Sequence, residues 1–319
     1  MKISFIYYLY NNLSTLKASI ESLINQTNEN FEIIFVDDFA EEPVKQIFNS
    51  FDLSHKKYRI IRLFENHGKS FSYNLGFEKV TGDYIYYADA SNVFSPTFVD
   101  DILKIVNKKS FDYVSFKTDL DYLNDDFKQD LEISNTDNLS AWITNCSITF
   151  RNKLFATKFL TSNKIIFEKY NNFYPVCLFN IFINSKSGYF FAKQLINFRD
   201  NFNNNRSFTY NLYNILNSAL MISYKINELL VDDAVKSNYL VWLPKLCLKD
   251  FLTKMFHSYF GNEKILTIAI EKAWEILEKT DLNFKNNASL LLLNDKNLVN
   301  YFLDFKPSYK YVRKNIKFN

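Results

Sequence analysis

Glycine is scarce in this chain, since only five of the 319 residues are glycine, whereas proteins average about 7%. Three of the five, Gly68, Gly76 and Gly82, lie within one 15-residue stretch. No Gly-x-Gly-x-x-Gly pattern occurs, which excludes the dinucleotide-binding fingerprint. The Gly-Lys-Ser sequence at Gly68 resembles the end of a P-loop, but Leu63 stands where that loop requires its first glycine. A P-loop is therefore excluded as well.

Cysteine and long apolar runs are also rare. Cys146, Cys177 and Cys247 are far apart and lack the Cys-x-x-Cys or Cys/His spacing of a metal site. We therefore expect reduced thiols and a cytoplasmic protein. The apolar start of the chain is too short for a signal peptide, and no run approaches the roughly 18 apolar residues of a membrane span.

Charge of one sign is not in excess. The chain has 38 basic and 35 acidic residues, which leaves a formal net charge of +3. This balance argues against nucleic acid as the main partner. We accordingly interpret the 18% of aromatic residues as core side chains and not as base-stacking platforms.

Strand and helix patterns alternate along residues 1–116. Apolar segments typical of buried strands occupy residues 3–10, 31–37, 58–64, 84–88 and 111–116. Between them apolar residues recur at helical spacing, and Pro43 suits the first turn of one such helix. The alternation predicts an α/β fold with a mainly parallel sheet flanked by helices. Ligands of such sheets bind beyond the carboxyl ends of the strands.

The pattern changes after this region. Residues 117–140 hold seven acidic and two basic residues, which predicts a solvated loop. After a polar break at 200–206, apolar residues recur at helical spacing in three stripes, which predicts a helical C-terminal region. We therefore divide the chain into an α/β domain over 1–205 and a helical domain with a basic tail over 206–319.

Five short motifs lie at or near the predicted strand ends. They are Tyr10-Asn11, Ser22-Leu23-Ile24-Asn25-Gln26-Thr27, residues 31–38, Asn66-x-Gly68-x-Ser70-x-x-x-Asn74-x-Gly76 and Asp89-Ala90-Ser91. In this order they resemble the family 2 nucleotide-sugar glycosyltransferases, which have the GT-A fold, with Tyr8 in place of a family proline. The resemblance is specific over residues 1–100. It is faint to residue 205, where Phe150-Arg151 and Phe198-Arg199 match family positions, and absent beyond.

The resemblance implies that a nucleotide-sugar donor, a UDP-sugar in particular, gives its sugar to a hydroxyl of a glycolipid or polysaccharide. Asp38 would accept a hydrogen bond from the ring N–H of a uracil-type base, and Tyr10 would pack against the base. Each has a plainer alternative, because Asp37 and Asp38 would also cap a loop and Tyr10 would also fit a core. The implied donor-binding residues are Tyr8, Tyr10, Asp38, Asn66, Gly68, Lys69, Asn74, Asp89 and Ser91.

The chain departs from the family at the metal site. The family's Asp-x-Asp motif places two carboxylates beside the diphosphate, where they help to hold Mg²⁺ or Mn²⁺. Here Asp89 keeps the first carboxylate and would be the metal ligand, but Ser91 offers only a neutral hydroxyl, so we expect weakened metal binding. Tyr73 also replaces a family arginine, and the nearby Lys69 would substitute for it at the phosphate.

The general base is the second departure. Inverting members of the family use a carboxylate to accept the proton of the acceptor hydroxyl, often in an acidic pair that falls here on Asn171-Asn172. Glu168 is the nearest carboxylate and the candidate base, with an ordinary surface glutamate as the alternative. These losses leave a second function open, a non-catalytic descendant of the family that binds a nucleotide or glycan or serves as a scaffold.

The end of the chain is basic, with no acidic residue after Asp304. The basic side chains are Lys306, Lys310, Arg313, Lys314 and Lys317, and Phe305, Tyr309, Tyr311 and Phe318 lie among them. One interpretation is a helical cap with a solvated tail. The other is a peripheral surface for anionic lipid at the inner face of a membrane.

Overall fold

The structure is a computed structural model that describes residues 1–11, 13–54, 57–119, 125–134, 139–168, 174–199, 205–280 and 284–315. It contains two compact units. The first comprises Met1–Asn135 and Thr149–Asn201, and the second comprises Thr136–Ile148 and Phe202–Asn319. The predicted domain boundary at residue 205 stays a prediction, because residues 200–204 lie outside the described ranges.

The described part of the first unit is built on a mixed sheet of nine strands. They are β1 Ile3–Leu9, β2 Phe31–Asp37, β3 Tyr58–Arg62, β4 Tyr84–Asp89, β5 Asn92–Phe94, β6 Tyr113–Thr118, β7 Leu131–Ser134, β8 Lys153–Ala156 and β9 Ser187–Phe198. Their order is β3-β2-β1-β4-β8-β6-β9-β5, with β7 paired to β9. The run from β3 to β4 is parallel throughout, whereas β8 is antiparallel to both of its neighbours. The predicted α/β fold with a mainly parallel sheet is confirmed.

Helices flank the sheet of the first unit and make up most of the second. In chain order they are α1 Leu13–Ile24, α2 Glu42–Asn49, α3 Lys69–Phe77, α4 Phe98–Val106, α5 Leu139–Asn145, α6 Thr157–Ser162, α7 Tyr174–Asn184, α8 Asn205–Glu228, α9 Asp233–Leu240, α10 Trp242–Pro244, α11 Leu252–Ser258, α12 Glu263–Thr280, α13 Lys296–Leu303 and α14 Tyr309–Asn315. A π-helical turn, Lys245–Phe251, joins α10 to α11. Helix α5 and all helices from α8 onward belong to the second unit.

In the parallel half of the sheet, the strands β1, β2 and β4 form where the sequence is mostly apolar, whereas β3 at the end of the sheet is partly exposed. Every residue of β2 and of β4 is buried, and so is every residue of β1 except Tyr8. A strand covered on both faces has no polar face, which is why these segments lack the alternation of a half-exposed strand. In the register of the sheet Tyr8 lies opposite Asp89, and Leu9 lies opposite Asp37. The carboxyl ends of β1, β2 and β4 are therefore side by side.

Glycine at position 76 allows α3 to pack closely on this parallel half. A Cβ atom on Gly76 would lie only 2.3 Å from the Cγ2 atom of Ile6 in β1. A larger residue would therefore push the helix away from the strand. Helix α3 begins with Lys69. The close packing at Gly76 therefore helps to position Lys69 at the edge of the sheet.

The motif at residues 22–27 anchors the segment that follows β5. Gln26 donates from Nε2 to the carbonyl oxygen of Ser95 at 2.8 Å and accepts at Oε1 from the backbone N–H of Val99 at 3.0 Å. The backbone N–H of Thr27 donates to the carbonyl oxygen of Pro96 at 2.9 Å. These bonds attach the residues that follow α1 to the start of α4. The motif thereby holds in place the segment between β5 and α4.

The predicted solvated loop at 117–140 is wrong over its described part. Strand β7 lies within it and pairs antiparallel with β9, and the side chain of its Ile133 is buried. Asp125 is also buried, in an ion pair of 3.0 Å with the buried Lys153. An acidic side chain can be buried in a core when an opposite charge pairs with it there. Local sequence does not reveal this pairing, because Lys153 is 28 residues away from Asp125. Residues 120–124 and 135–138 lie outside the described ranges.

The second unit is helical, as predicted. Trp242 is fully buried in it and donates from its indole N–H to the carbonyl oxygen of Ile143 at 2.9 Å. Near the end of the chain the ring of Phe305 is buried and stacks on Trp274, with a centroid separation of 5.5 Å. Across the described ranges, none of the helices combines the length and apolar character that crossing a membrane requires.

Candidate active site at the carboxyl edge of the parallel strands

Asp38 holds the loop that leads into α3. It is fully buried just beyond β2, and its two carboxylate oxygens accept the backbone N–H groups of His67 and Gly68, both at 2.8 Å. One oxygen also accepts the Tyr8 hydroxyl at 3.2 Å. Gly68 has φ of 84° and ψ of 164°, a backbone conformation that is essentially restricted to glycine. Asp38 and Gly68 together fix the direction in which α3 starts.

Lys69, the first residue of α3, forms an ion pair with Asp89 at the end of β4. Its Nζ atom lies 2.5 Å from Oδ2 of Asp89. The other oxygen, Oδ1, accepts both the backbone N–H of Ser91, at 3.0 Å, and the Ser91 hydroxyl. The backbone N–H of Asp89 donates to Oδ1 of Asn92 at 2.8 Å. This carboxylate is therefore clamped from the helix on one side and from its own turn on the other.

The surroundings of Asp89 keep it ionised. Burial alone would raise its pKa, but the charges of Lys69 and Arg151 and the hydrogen bonds from Lys69 and Ser91 lower it by more. The net effect places the pKa of Asp89 well below its ordinary value. At neutral pH the site thus holds a negative charge that is paired with the Lys69 ammonium group.

Arg151 is a charge near the site that was not among the predicted site residues. Its guanidinium lies over the ring of Phe198, with 5.1 Å between the Cζ atom and the ring centroid. The backbone N–H of Arg199 donates to the carbonyl oxygen of Ser91 at 2.9 Å. The Phe150-Arg151 and Phe198-Arg199 dipeptides matched family positions, and this was the sequence signal that could have placed the Arg151 cation close to Asp89.

Tyr8 and Tyr10 form an aromatic rim at the end of β1. Their ring centroids are 6.3 Å apart, and Tyr10 is 37% exposed. Burial and the neighbouring Asp38 carboxylate raise the pKa of Tyr8, whose hydroxyl also interacts with the side chain of the exposed Asn66. The Nζ atom of Lys69 lies 5.4 Å from the centroid of the Tyr8 ring. The predicted residues of β1 and of the loop before α3 are thus brought together.

The side chain of Asn74 forms hydrogen bonds to the protein backbone. Its side chain donates to the carbonyl oxygen of Phe167 at 2.7 Å and accepts the backbone N–H of Phe167 at 2.9 Å. The Phe167 ring packs on Tyr73, which has its hydroxyl bonded to the carbonyl oxygen of Ala88. Asn74 therefore holds the backbone at Phe167 on α3.

Glu168 itself is exposed and, among the described residues, forms no hydrogen bond or ion pair. Its charge contributes, after burial, to raising the pKa of the buried Cys177 thiol in α7. The structure places it next to the clamped Phe167 but records no contact with Asp89 or Lys69. Asn171 and Asn172, where the acidic pair was expected, lie outside the described residues.

The donor set around Asp89 does not fit a hard divalent cation. Both oxygens of its carboxylate are already engaged, one of them by an ammonium group, and Ser91 adds no negative charge. Mg²⁺ and Mn²⁺ prefer several oxygen ligands with carboxylates among them. Within the residues the structure describes, no cluster of three or more His, Cys, Asp or Glu is placed to hold a metal ion. The predicted role of Asp89 as a metal ligand stays a prediction that these contacts do not favour.

Comparison with known families and sequences places the chain among glycosyltransferases. The family model described as Glycosyl transferase family 2 matches residues 4–192. An uncharacterized glycosyltransferase of Rickettsia bellii is 33% identical over 112 residues, which is 34% of this chain and 16% of that protein. Glycosyltransferase GlyG of Streptococcus pneumoniae is 26% identical over 112 residues, 35% of this chain and 37% of that protein. The chain thus spans well under two thirds of the length of these relatives.

Solved structures match over nearly the whole chain. TarS 1-349 of S. aureus matches with a TM-score of 0.67 at 15% identity, and the match covers 99% of this chain and 88% of the TarS chain. A second structure, of TarS 1-349 in complex with UDP-GlcNAc, has a TM-score of 0.63 at 15% identity, with coverages of 99% and 88%. Mannosyltransferase PcManGT of Pyrobaculum calidifontis, in complex with GDP-Man and Mn²⁺, has a TM-score of 0.59 at 12% identity, with coverages of 98% and 84%. At such identities the likeness shows the fold, and the predicted GT-A fold is confirmed.

The ionised Asp89 predicts a specific acid sensitivity. Because its pKa is lower in the folded than in the unfolded chain, its stabilising effect is complete above about pH 4 and is lost as the pH falls below that value. The Asp89→Asn variant should therefore lose stability less steeply between pH 5 and pH 3 in chemical unfolding, by up to about 1.4 kcal/mol per pH unit. Glu78→Gln, at an exposed position just after α3, should keep the wild-type slope. Equal slopes for wild type and Asp89→Asn would contradict the assignment.

Proposed function

Since the chain belongs to glycosyl transferase family 2, we propose that it transfers a sugar from a nucleoside-diphosphate donor to an acceptor hydroxyl. The observation that carries the proposal is the convergence of Asp38, Gly68, Lys69 and Asp89 at the carboxyl edge of β1, β2 and β4. This edge is where open α/β sheets bind their ligands. It offers a cation, an aromatic rim and a buried carboxylate within one region of the first unit.

The donor would lie with its base at the aromatic rim and its diphosphate at the start of α3. Tyr10, which is partly exposed, would pack against the base, and Asn66 and Tyr8 would offer polar contacts. Asp38, whose buried carboxylate already accepts three hydrogen bonds, would contribute through the loop it holds. TarS binds UDP-GlcNAc and UDP, and PcManGT binds GDP-Man, which supports a nucleotide-sugar donor. We propose a UDP-sugar as that donor.

In the proposed reaction the acceptor hydroxyl oxygen forms a bond to the anomeric carbon of the donor. The bond between that carbon and the diphosphate oxygen breaks, and its electron pair leaves with the diphosphate towards the Lys69–Asp89 pair. The hydroxyl proton passes to a general base, for which Glu168 is the candidate carboxylate. Its support is its position directly after Phe167, which Asn74 holds on α3. A glycolipid or polysaccharide would supply the hydroxyl.

Donor turnover is the direct test of this function. The purified chain, incubated with a panel of UDP- and GDP-sugars, should release the nucleoside diphosphate from at least one donor, by transfer or by slow hydrolysis. A coupled assay for released UDP or GDP measures this. Binding of UDP or GDP without release from any donor sugar, across a broad acceptor panel, would contradict the enzyme and favour the non-catalytic descendant.

The Glu168→Gln variant separates the general base from donor binding. Removing the proton acceptor should lower kcat about 10²- to 10⁴-fold, because a general base acts in the transition state. The Kd for the nucleoside diphosphate should stay within about threefold, since the amide keeps the shape of the side chain. Glu78→Gln, another exposed glutamate, is the matched control and should leave kcat unchanged. An unchanged kcat in Glu168→Gln would exclude this residue as the base.

We also propose that the second unit touches anionic lipid, which would bring a membrane-bound acceptor within reach at the cytoplasmic face. Lys310, Arg313 and Lys314 are exposed on α14 and line a cavity of about 510 Å³ with Tyr309 and Glu263. The Arg313 guanidinium lies 5.9 Å from the Tyr309 ring centroid. Clustered basic side chains beside an aromatic ring are typical of such surfaces. The buried Phe305 does not belong to this surface, and residues 316–319 lie outside the described ranges.

Replacing Lys310, Arg313 and Lys314 with alanine should weaken binding to vesicles that contain phosphatidylserine. Each basic residue contributes about 1 kcal/mol near an anionic surface, so the triple variant should lose about 100-fold in partition coefficient. Co-sedimentation at several salt concentrations measures it. Alanine at Lys272 and Lys279, which pair with Glu275 on α12, is the control and should change little. Equal wild-type binding to neutral and anionic vesicles would contradict the surface.

A further inference from the structure

We propose that the Lys69 ammonium group occupies the role of the divalent cation, so that this site binds the donor diphosphate without a metal ion. The inference rests on the proposed function, because it names how that same site would hold the donor. It starts from the disagreement between the donor set at Asp89 and the requirements of Mg²⁺ or Mn²⁺. The residue that satisfies Asp89 is a lysine of this chain.

The charges support an exchange of cation type. In an Asp-x-Asp site two carboxylates and one divalent cation together carry no formal net charge. Here Ser91 removes one negative charge, and Asp89 with Lys69 again carries no formal net charge. The environment that the diphosphate meets is therefore electrostatically similar, although the cation is a side chain. A divalent ion added to the present site would face the Lys69 charge at close range.

The geometry gives the ammonium group a defined position. Lys69 follows Gly68, whose unusual φ and whose N–H bond to Asp38 fix the start of α3. The Nζ atom is held against Asp89 at 2.5 Å and lies 5.4 Å from the ring centroid of Tyr8. Such a side chain loses little additional freedom when a ligand binds, which is the advantage of a preorganised contact.

The ammonium group also has capacity left for a ligand. It carries three N–H donors, of which the described contact with Asp89 uses one. The Lys69 side chain is 25% exposed, whereas that of Asp89 is 10% exposed, so a diphosphate would reach the lysine before the carboxylate. The N-terminal end of α3, where backbone N–H groups carry partial positive charge, lies at the same point.

Arg151 supplies a second positive charge to the same region. Its charge lowers the pKa of Asp89 next after that of Lys69, so the two cations act on one carboxylate. A diphosphate brings more negative charge than Lys69 alone can balance once Asp89 is counted. Arg151, held in place over the ring of Phe198, would offset part of this excess. Lys69 and Arg151 together therefore reduce the negative charge of the bound diphosphate without a metal ion.

The test measures UDP and GDP binding by calorimetry, first to the wild-type protein in EDTA and in Mn²⁺. We expect the two Kd values for the better nucleotide to agree within about threefold. Lys69→Met should weaken nucleoside diphosphate binding at least tenfold in EDTA and leave binding of the corresponding nucleoside within about threefold. Lys69→Arg, which keeps the charge, should retain metal-independent binding. Lys104→Met, on α4 in an exposed pair with Asp100, is the matched control and should bind as wild type does.

A double variant asks whether the original chemistry can be restored. Lys69→Ala combined with Ser91→Asp places two carboxylates at the end of β4 without the ammonium group, and its nucleotide binding should become dependent on Mn²⁺. Wild-type binding that requires Mn²⁺ would overturn the inference and leave the proposed function standing. Absence of nucleoside diphosphate binding in every condition would instead contradict the proposed function. Circular dichroism of each variant confirms that it is folded, and the wild-type comparison in EDTA needs no variant at all.

Discussion

The carboxylate of Asp89 is buried at the end of β4, and a buried charge must be compensated where it lies. Leaving such a charge unpaired typically costs several kcal/mol, because water is no longer there to solvate it. Three parts of the first unit meet that requirement: Lys69 from α3, the turn at Ser91, and Arg151 from the segment before β8. The position of the carboxylate therefore determines where the start of α3 and that segment come to rest.

Asp38 applies the same constraint with neutral partners. Its buried carboxylate is satisfied by two backbone N–H groups, and these belong to the residues that precede Lys69. Gly68 permits the required backbone turn, and Gly76 lets α3 pack closely on Ile6 of β1. Asp38 follows β2 and Asp89 ends β4, and these two strands lie on either side of β1. The two carboxylates thus hold the first turn of α3 from both sides. Hydrogen bonds and an ion pair within the chain hold this surface in place, which is the preorganisation that the proposed binding of a diphosphate would use.

The parallel strands β1, β2 and β4 could be predicted because burial on both faces leaves a direct trace, a short and mostly apolar run. The trace was missing for β7, whose four residues become a strand only through pairing with β9, a strand more than fifty residues later. Site residues show the same division. The motifs predicted that Asp89, Lys69 and Gly68 lie at one edge, but the ion pair depends on side-chain geometry between two elements.

Asn74 shows how a correctly recognised motif can carry another role. Asn74 was predicted to bind the donor, whereas its side chain forms hydrogen bonds to the backbone of Phe167, 93 residues further along the chain. The influence of Arg151 on Asp89 was not predicted, although the match of Phe150-Arg151 to a family position was a signal for it. Local patterns therefore predicted the parallel strands and the fold, while the partners of each polar group required the folded chain.

The proposed role of Lys69 depends most directly on where a bound diphosphate lies relative to its ammonium group. A crystal structure of the protein with UDP or GDP, grown in Mn²⁺ and recorded at the manganese absorption edge, measures this. We expect the Lys69 Nζ atom at about 2.8 Å from a phosphate oxygen, with no anomalous peak between Asp89 and the diphosphate. A manganese peak bound to Asp89, with the Lys69 side chain displaced from the carboxylate, would contradict it.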